Sequence, residues 1–372
     1  MRGRVLMVAP VFTHPPIQGN AARILAFGRQ LKQRGFEIDL MHFKLDGGSG
    51  ETASAMRAEW SRVVQIEAMP HARMAHPAHW GLDDWCPESV VETVGDLVRA
   101  SYYDAVVVNY VWMSRVFEGF DGPLKILDTH DVFGDRHRLS READIDPNWF
   151  FTSIAEEDRG FDRADVVIAI QETEARQIAA RTRARTIAVA HPVPPVLLTR
   201  ADSDHKAAVF GYIGSANPWN EKSLLDFDAA VLRKGPVDWA VAGTICRSGL
   251  SLASARYSFG IVDDPREFYR HVACCFNPMS SGTGLKIKTV EAMAHGRAII
   301  GTQVAFEGLD PRHDFHRAGT VDEVVDAAHA FVASEAARAS VIEESRRLYL
   351  IYIDGVRRQY EQLADDIEKA AA

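Results

Sequence analysis

Cys274-Cys275-Phe276-Asn277-Pro278-Met279-Ser280-Ser281-Gly282-Thr283-Gly284-Leu285-Lys286-Ile287-Lys288-Thr289-Val290-Glu291-Ala292-Met293-Ala294-His295-Gly296 is the stretch that decides the fold. Cys274 to Pro278 reads as a short buried strand. A glycine-punctuated loop follows from Ser280, and then a helix. Ala298 to Thr302 reads as the next strand. A glycine loop that opens a helix between parallel strands is a ready anion site. The amides of the first turn point outward and the helix dipole favours negative charge. Lys286 and Lys288 add two cations at that mouth. Glu291 lies three residues past Lys288, on the same helix face. A carboxylate one turn beyond phosphate-binding amides can accept hydrogen bonds from ribose hydroxyls. The loop is suited to a nucleoside diphosphate. The plain alternative is a helix start in an α/β sheet, since one glycine-rich turn is weak evidence.

Gly282-Thr283-Gly284-Leu285-Lys286-Ile287-Lys288, followed by Glu291-Ala292-Met293-Ala294 and Gly296, resembles the donor-binding loop of GT-B glycosyltransferases near family 4. The resemblance implies that the loop holds the donor diphosphate and that Glu291 holds the nucleotide ribose. It implies an α/β fold of two facing Rossmann-like domains with parallel sheets, and a C-terminal helix crossing back to the first domain.

Working outward, the 372 residues are 47% hydrophobic, enough for two domains with separate cores. The net charge of −9 and the lack of a basic stripe argue against nucleic-acid binding. Cys86, Cys246, Cys274 and Cys275 have no metal-ligand spacing and are expected as reduced thiols. Met1 to Arg4 runs directly into Val5 to Val8, too short a run for a signal peptide. No apolar stretch approaches the ~20 residues of a membrane span. The expectation is a cytoplasmic protein, with peripheral contact at the inner face of a membrane left open.

Strands are predicted at Val5–Ala9, Glu37–Phe43, Val63–Ala68, Tyr103–Asn109, Lys125–Asp128, Val166–Ile170 and Thr186–Ala190. Helices are predicted at Ala21–Arg34, Ser89–Ala100, Ser153–Ala164 and Glu172–Arg181. Pro192, Pro194 and Pro195 then admit no regular element, which places a linker there. The second half has strands at Ala208–Ile213, Trp239–Ala242, Phe259–Val262 and Ala298–Thr302. Its helices fall at Asn220–Lys234, Pro265–His271, Val321–Ser334 and Arg338–Lys369, the last with a kink at Gly355. Alternating strands and helices predict parallel sheets with right-handed crossovers. The expected domains are 1–191, 192–354 and a returning helix at 355–372.

Three further turns follow predicted strands. Pro15 to Arg23 leaves the first strand and opens a helix, so Gly19 and Asn20 can face an anion; Asn20 stands where relatives often have a second glycine and can take a left-handed turn. Arg23, one turn into that helix, is within reach of a phosphate or is a solvated surface arginine, and the residue alone favours the second reading. Gly214-Ser215-Ala216-Asn217-Pro218-Trp219-Asn220 is its counterpart in the second half. The resemblance places Ser215 near the donor phosphates, with Lys222 as the following basic residue. Trp219 either stacks on a base or covers the sheet edge. Gly243 ends a strand where the backbone passes near a nucleotide or simply turns, and the resemblance sets backbone groups around Ile261 against the base.

Leu127 to Arg136 sits past the carboxyl end of a strand, where open α/β sheets bind ligands. The resemblance assigns catalytic roles facing the donor sugar to His130 and Asp131. The alternatives are a satisfied core histidine and a capping aspartate. Arg136 holds a phosphate or pairs with Asp135. The histidine-rich stretch His71 to His79, with Trp80 and Trp85, lacks zinc-ligand spacing and reads as a mobile loop of the first domain, with an acceptor-binding or membrane-facing role as the alternative. His313 and His316 read as solvated surface.

One departure from the family matters. Its retaining members carry two glutamates seven residues apart, and the first would fall on Thr283. The stereochemical course stays open. The expected function is metal-independent transfer of a sugar from a nucleotide-diphosphate sugar, without a further cofactor or metal, to a glycan, lipid-linked or small-molecule acceptor. A catalytically inactive sugar-nucleotide-binding module and a GT-B epimerase are the alternatives.

Overall fold

The computed structural model describes residues 2–16, 18–45, 50–142, 144–147, 149–196, 208–282 and 284–371. The chain divides into two compact units, Met1–Pro192 with Val356–Ala372, and Val193–Gly355.

The first unit holds strands β1 (Gly3–Ala9), β2 (Phe36–Phe43), β3 (Arg62–Ile66), β4 (Ala105–Asn109), β5 (Leu124–Asp128), β6 (Val166–Ala169) and β7 (Arg185–Ala188). Its helices are α1 (Gly19–Gln33), α2 (Gly50–Glu59), α3 (Glu88–Ala100), α4 (Arg136–Glu142), α5 (Ile154–Phe161) and α6 (Glu172–Ala179). The sheet runs β3-β2-β1-β4-β5-β6-β7. Every pairing is parallel, with Val5 opposite Ile38 on one side and Ala105 on the other. Strands covered on both faces need apolar residues at every position. β4 meets that demand over Ala105, Val106, Val107 and Val108, all buried, and only its last residue, the buried Asn109, is polar. α3 instead buries one stripe, Val90, Val91, Val94 and Leu97, at helical spacing.

The second unit holds β8 (Ala208–Ile213), β9 (Trp239–Ala242), β10 (Tyr257–Gly260), β11 (Val272–Asn277) and β12 (Ala298–Gly301), with α7 (Pro218–Lys234), α8 (Pro265–Tyr269), α9 (Ile287–Ala294), α10 (Val321–Ala333) and α11 (Glu335–Ala371). Its sheet runs β10-β9-β8-β11-β12, again parallel. α7 starts where Asn217 Oδ1 accepts from the Asn220 amide and Pro218 fixes the first turn. It stops at Gly235, whose φ is +119°. Phe227, Trp239 and Phe276 pack around one another between helix and sheet. All four cysteines are free thiols.

α11 stays helical through Gly355, where the sequence pattern predicts a kink. Its last turns belong to the first unit. Tyr360 lies edge-on to Phe27, the Ala190 amide donates to Gln359 Oε1, and Arg185 pairs with Asp366 at 2.6 Å.

In each sheet the strand order reverses at one place, between β1 and β4 and between β8 and β11. Loops leaving the carboxyl ends of those strands diverge to opposite faces and leave a crevice there. The loops after β8 and β11 include the Gly214 turn and the glycine loop. Those after β1 and β4 include Gly19 and Tyr110.

Candidate functional site

In the second unit the chain leaves β11 at Asn277 and reaches α9 through the glycine loop. Gly282 and Gly284 take φ of +110° and +77°, values that side chains strain to adopt. Gly284, Leu285 and Lys286 are buried. Thr283 lies outside the described residues. α9 has no side-chain cap and no acid in its first turn, so its positive end is left for an incoming anion.

Lys286 folds back on the loop. Its Nζ donates to Gly284 O at 2.6 Å and meets Glu307 Oε2 at 3.1 Å. Lys288 leans toward β8 and α7. Its Nζ donates to Tyr212 Oη at 2.6 Å and to Asn220 Oδ1, and sits 4.6 Å from the Tyr212 ring centre. Asn220 is oriented for this, because its Nδ2 donates to Ser215 O at 2.8 Å. Thus Ser215, Asn220 and Lys288 form one chain of contacts across the sheet's reversal. Burial, reinforced by the charge of Lys286, lowers the Lys288 ammonium to about 7. Lys222, expected to serve the phosphates, pairs with Asp226 on the helix surface at 3.3 Å instead.

Glu291 lies partly buried one turn along α9. Tyr269 Oη of α8 donates to its Oε2 at 3.0 Å. Burial raises the carboxyl above its ordinary range and the Tyr269 hydrogen bond opposes that rise. Tyr269 is itself held by stacking on His295, with ring centres 4.1 Å apart.

Gly243 has a structural reason of its own. With φ of +98°, a Cβ there would come within 2.2 Å of Gly214 O. The turns after β8 and β9 are pressed together, and Ile245 N donates to Gly214 O at 3.2 Å. Ile261 is partly buried between β10 and α8. Trp219 comes within 4.0 Å of where a Gly282 side chain would begin, so it flanks the glycine loop.

The first unit gathers a second cluster at the ends of β1, β4 and β5. Asn109 Nδ2 donates to Val8 O at 2.9 Å, which turns its Oδ1 toward His130 Nε2, also at 2.9 Å. The histidine therefore carries its proton on Nε2 and leaves the Nδ1 lone pair for another donor. Its ring stacks on Tyr110 at 4.2 Å. Burial lowers His130 to about 4 against the pull of Asp128, so the ring is neutral at ordinary pH. Asp131 pairs with Arg136 at 2.6 Å and its Oδ1 accepts from the Val132 amide. Arg136 thus takes Asp131 as partner, while Asp135 pairs with Arg138.

Three expectations need correction here. Arg23 is 1% exposed and forms a bidentate pair with Asp128, its Nη2 reaching Oδ1 at 2.6 Å and Val189 O at 3.0 Å. The helical position shows nothing of the partner, which lies 105 residues away in sequence. Asn20 is not a left-handed turn residue: it lies in the first turn of α1, its Oδ1 accepting from Ala21 N while its side chain also bonds the Tyr110 hydroxyl. Gly19 is the first residue of that helix. His316 is fully buried, stacked on Phe306 at 4.3 Å.

Asn109, Tyr110 and His191 escape the sequence reading, although the first two end or directly follow a predicted strand, where ligand-facing residues belong. His191, read only as part of the proline linker, is 5% exposed and lowered to about 3 by burial and the nearby Arg23. Among the described residues no group of three or more His, Cys, Asp or Glu side chains is placed to hold a metal. Among them no helix is long and apolar enough to cross a membrane.

Residues 207–339 match the family model described as glycosyl transferases group 1. No curated protein matches the chain. Solved structures do. Sucrose-phosphate synthase from Thermosynechococcus elongatus is 15% identical at a TM-score of 0.68, covering 99% of this chain and 100% of that one. HepE from Anabaena, in complex with UDP and glucose, is 13% identical at 0.69, covering 99% and 100%. TarM of S. aureus, in complex with fondaparinux, alpha-GlcNAc-glycerol and UDP, is 9% identical at 0.68, covering 97% and 99%. These are GT-B glycosyltransferases, and the chain shares their α/β fold of two parallel-sheet units.

Proposed function

We propose that the protein is a hexosyltransferase that moves a sugar from a nucleotide-diphosphate sugar to an acceptor hydroxyl without a metal. One observation carries the reading. Two lysines, a glycine loop and an uncapped helix start converge at the sheet reversal of the second unit, with Glu291 one turn away. Five contacts support it: Lys288 with Asn220 and Tyr212, Asn220 with Ser215, Tyr269 with Glu291, and Lys286 with the loop carbonyl of Gly284. The similar HepE and TarM structures contain UDP by their own descriptions, which favours a nucleoside diphosphate here.

In this reading the second unit is the donor side and the first the acceptor side. Gly282, Gly284 and Leu285 offer their backbone to the diphosphate. Lys286 and Lys288 stabilise the charge that grows on the departing diphosphate as the bond from the anomeric carbon to the phosphate oxygen breaks. Glu291 accepts from the ribose hydroxyls, and backbone around Gly243 and Ile261 lines the base. In the first unit Gly19 and Asn20, which open α1 beside Tyr110, contribute to donor binding. Asp131 is engaged with Arg136, so His130 is the better base. Its Nδ1 accepts the acceptor's proton if the reaction inverts, and Asp128, 3.8 Å from Nε2, steadies the imidazolium so formed.

Calorimetry with UDP, GDP, ADP and dTDP tests this, followed by turnover of the matching sugar conjugates. One nucleotide is expected to bind, and Glu291→Ala to weaken it on the order of tenfold or more. His130→Ala is expected to cut turnover about a hundredfold with nucleotide affinity unchanged. A chelator should leave turnover intact. Binding without turnover of any donor would instead favour a sugar-nucleotide-binding module, the reading that Thr283 in place of a carboxylate supports.

A further inference from the structure

The glycine loop has threonine at 283 where a carboxylate would complete the two-glutamate pattern. The fold brings a carboxylate to the same loop from another segment. Glu307 follows the 3₁₀ turn Gln303–Phe306, which itself follows β12. Its Oε2 lies 3.1 Å from Lys286 Nζ, the ammonium that also donates to Gly284 O and lies 3.4 Å from Gly282 O. Carboxylate, ammonium and glycine loop are one cluster.

Stability alone is a weak reason for that cluster. The Glu307 side chain is 40% exposed, and an ion pair so open to water adds little to folding. Its mounting is nonetheless well fixed. Thr302 Oγ1 donates to Met279 O and accepts from the Ala305 amide. Thr289 of α9 donates to Ala305 O at 2.9 Å and accepts from Asn277 Nδ2 at 2.9 Å. Asn277, Thr289 and Thr302 are all buried. The turn carrying Glu307 is therefore tied to β11 and α9, the two elements that bracket the glycine loop.

A carboxylate beside a diphosphate site competes with the ligand for the ammonium it pairs with, a cost that hydroxyl donors on the ligand offset. A sugar on the second phosphate supplies them. Glu291 is met by Tyr269, which precedes β11. Lys286 is met by Glu307, which follows β12. A donor with its ribose at Glu291 and its diphosphate across the first turn of α9 brings its sugar toward Lys286 and Glu307.

We propose that Glu307 determines donor-sugar specificity, reading sugar hydroxyls with its carboxylate while it holds Lys286 in place. This rests on the nucleotide-sugar reading above and names the residue that chooses the sugar. Calorimetry on wild type and Glu307→Gln tests it, with UDP, GDP, ADP and dTDP and with the glucose, galactose and N-acetylglucosamine conjugates of whichever nucleotide binds. Wild type should prefer one sugar on the order of tenfold or more, and the variant should bring the three to within about threefold. Affinity of the variant for the bare diphosphate should hold or rise, because Lys286 loses its competing anion. Three results overturn the proposal: a variant that keeps the wild-type preference, a variant that loses bare diphosphate and conjugates by the same factor, or a wild type that does not tell the sugars apart. If wild type binds none of the four diphosphates, the underlying reading fails, and this failure is distinct from the other three. Unchanged melting temperature checks that the variant is folded.

Discussion

Lys288 shows how burial turns an ordinary ammonium into a responsive one. Its ordinary value is near 10.5, and in the fold it drops to about 7. Between those values the folded chain holds fewer protons than the unfolded one, so this group adds stability as pH rises through that window. Below about 7 both states are charged and the full penalty stands. A bound diphosphate reverses the preference and draws the proton back. Nucleotide binding at pH 8 is therefore expected to take up a proton, read by calorimetry in buffers of different ionisation enthalpy. In Lys288→Met the uptake should vanish, leaving only the nucleotide's own titration. An unchanged uptake would place the proton elsewhere.

At the scale of elements, the turns at the sheet reversals decide the geometry. Gly243→Ala combines a left-handed φ with a clash on Gly214 O. It should lower stability by at least about 2 kcal/mol, seen as a lower midpoint in denaturant. Nucleotide affinity should fall with it, since the same contact sets the Ser215 turn. Much of this was legible beforehand. Buried parallel strands announce themselves as apolar runs, and the Ala-Val-Val-Val of residues 105–108 offers water no polar face. The glycine loop and both lysines were legible because glycine spacing and helix starts are local. What stayed hidden depended on distant partners. Nothing near Arg23 announces Asp128, nothing near Lys288 announces Asn220, and Glu307 follows β12 rather than the loop it serves. The 3₁₀ segment Val111–Gly119 also escapes the reading, although its buried Trp112, Met113, Val116 and Phe117 recur at helical spacing.

At the scale of the molecule, two sheets with separate apolar cores predict separate unfolding. Scanning calorimetry is expected to resolve two transitions, and the binding nucleotide should raise the one belonging to residues 193–355 more than the other. A single transition that shifts as a whole would mean that the units melt as one. α11 sets the limit on that independence, since residues 356–372 complete the first unit while the preceding turns serve the second. Arg2, just ahead of β1, pairs with Asp365 and Glu368 of α11. During synthesis on the ribosome, the seat of Tyr360 against Phe27 therefore stays empty until the last turns of α11 have emerged. The half that is translated first is thus also the half whose closing segment emerges after the other's, and a chaperone that shields Phe27 and its neighbours in the interval would be guarding an unfinished wall.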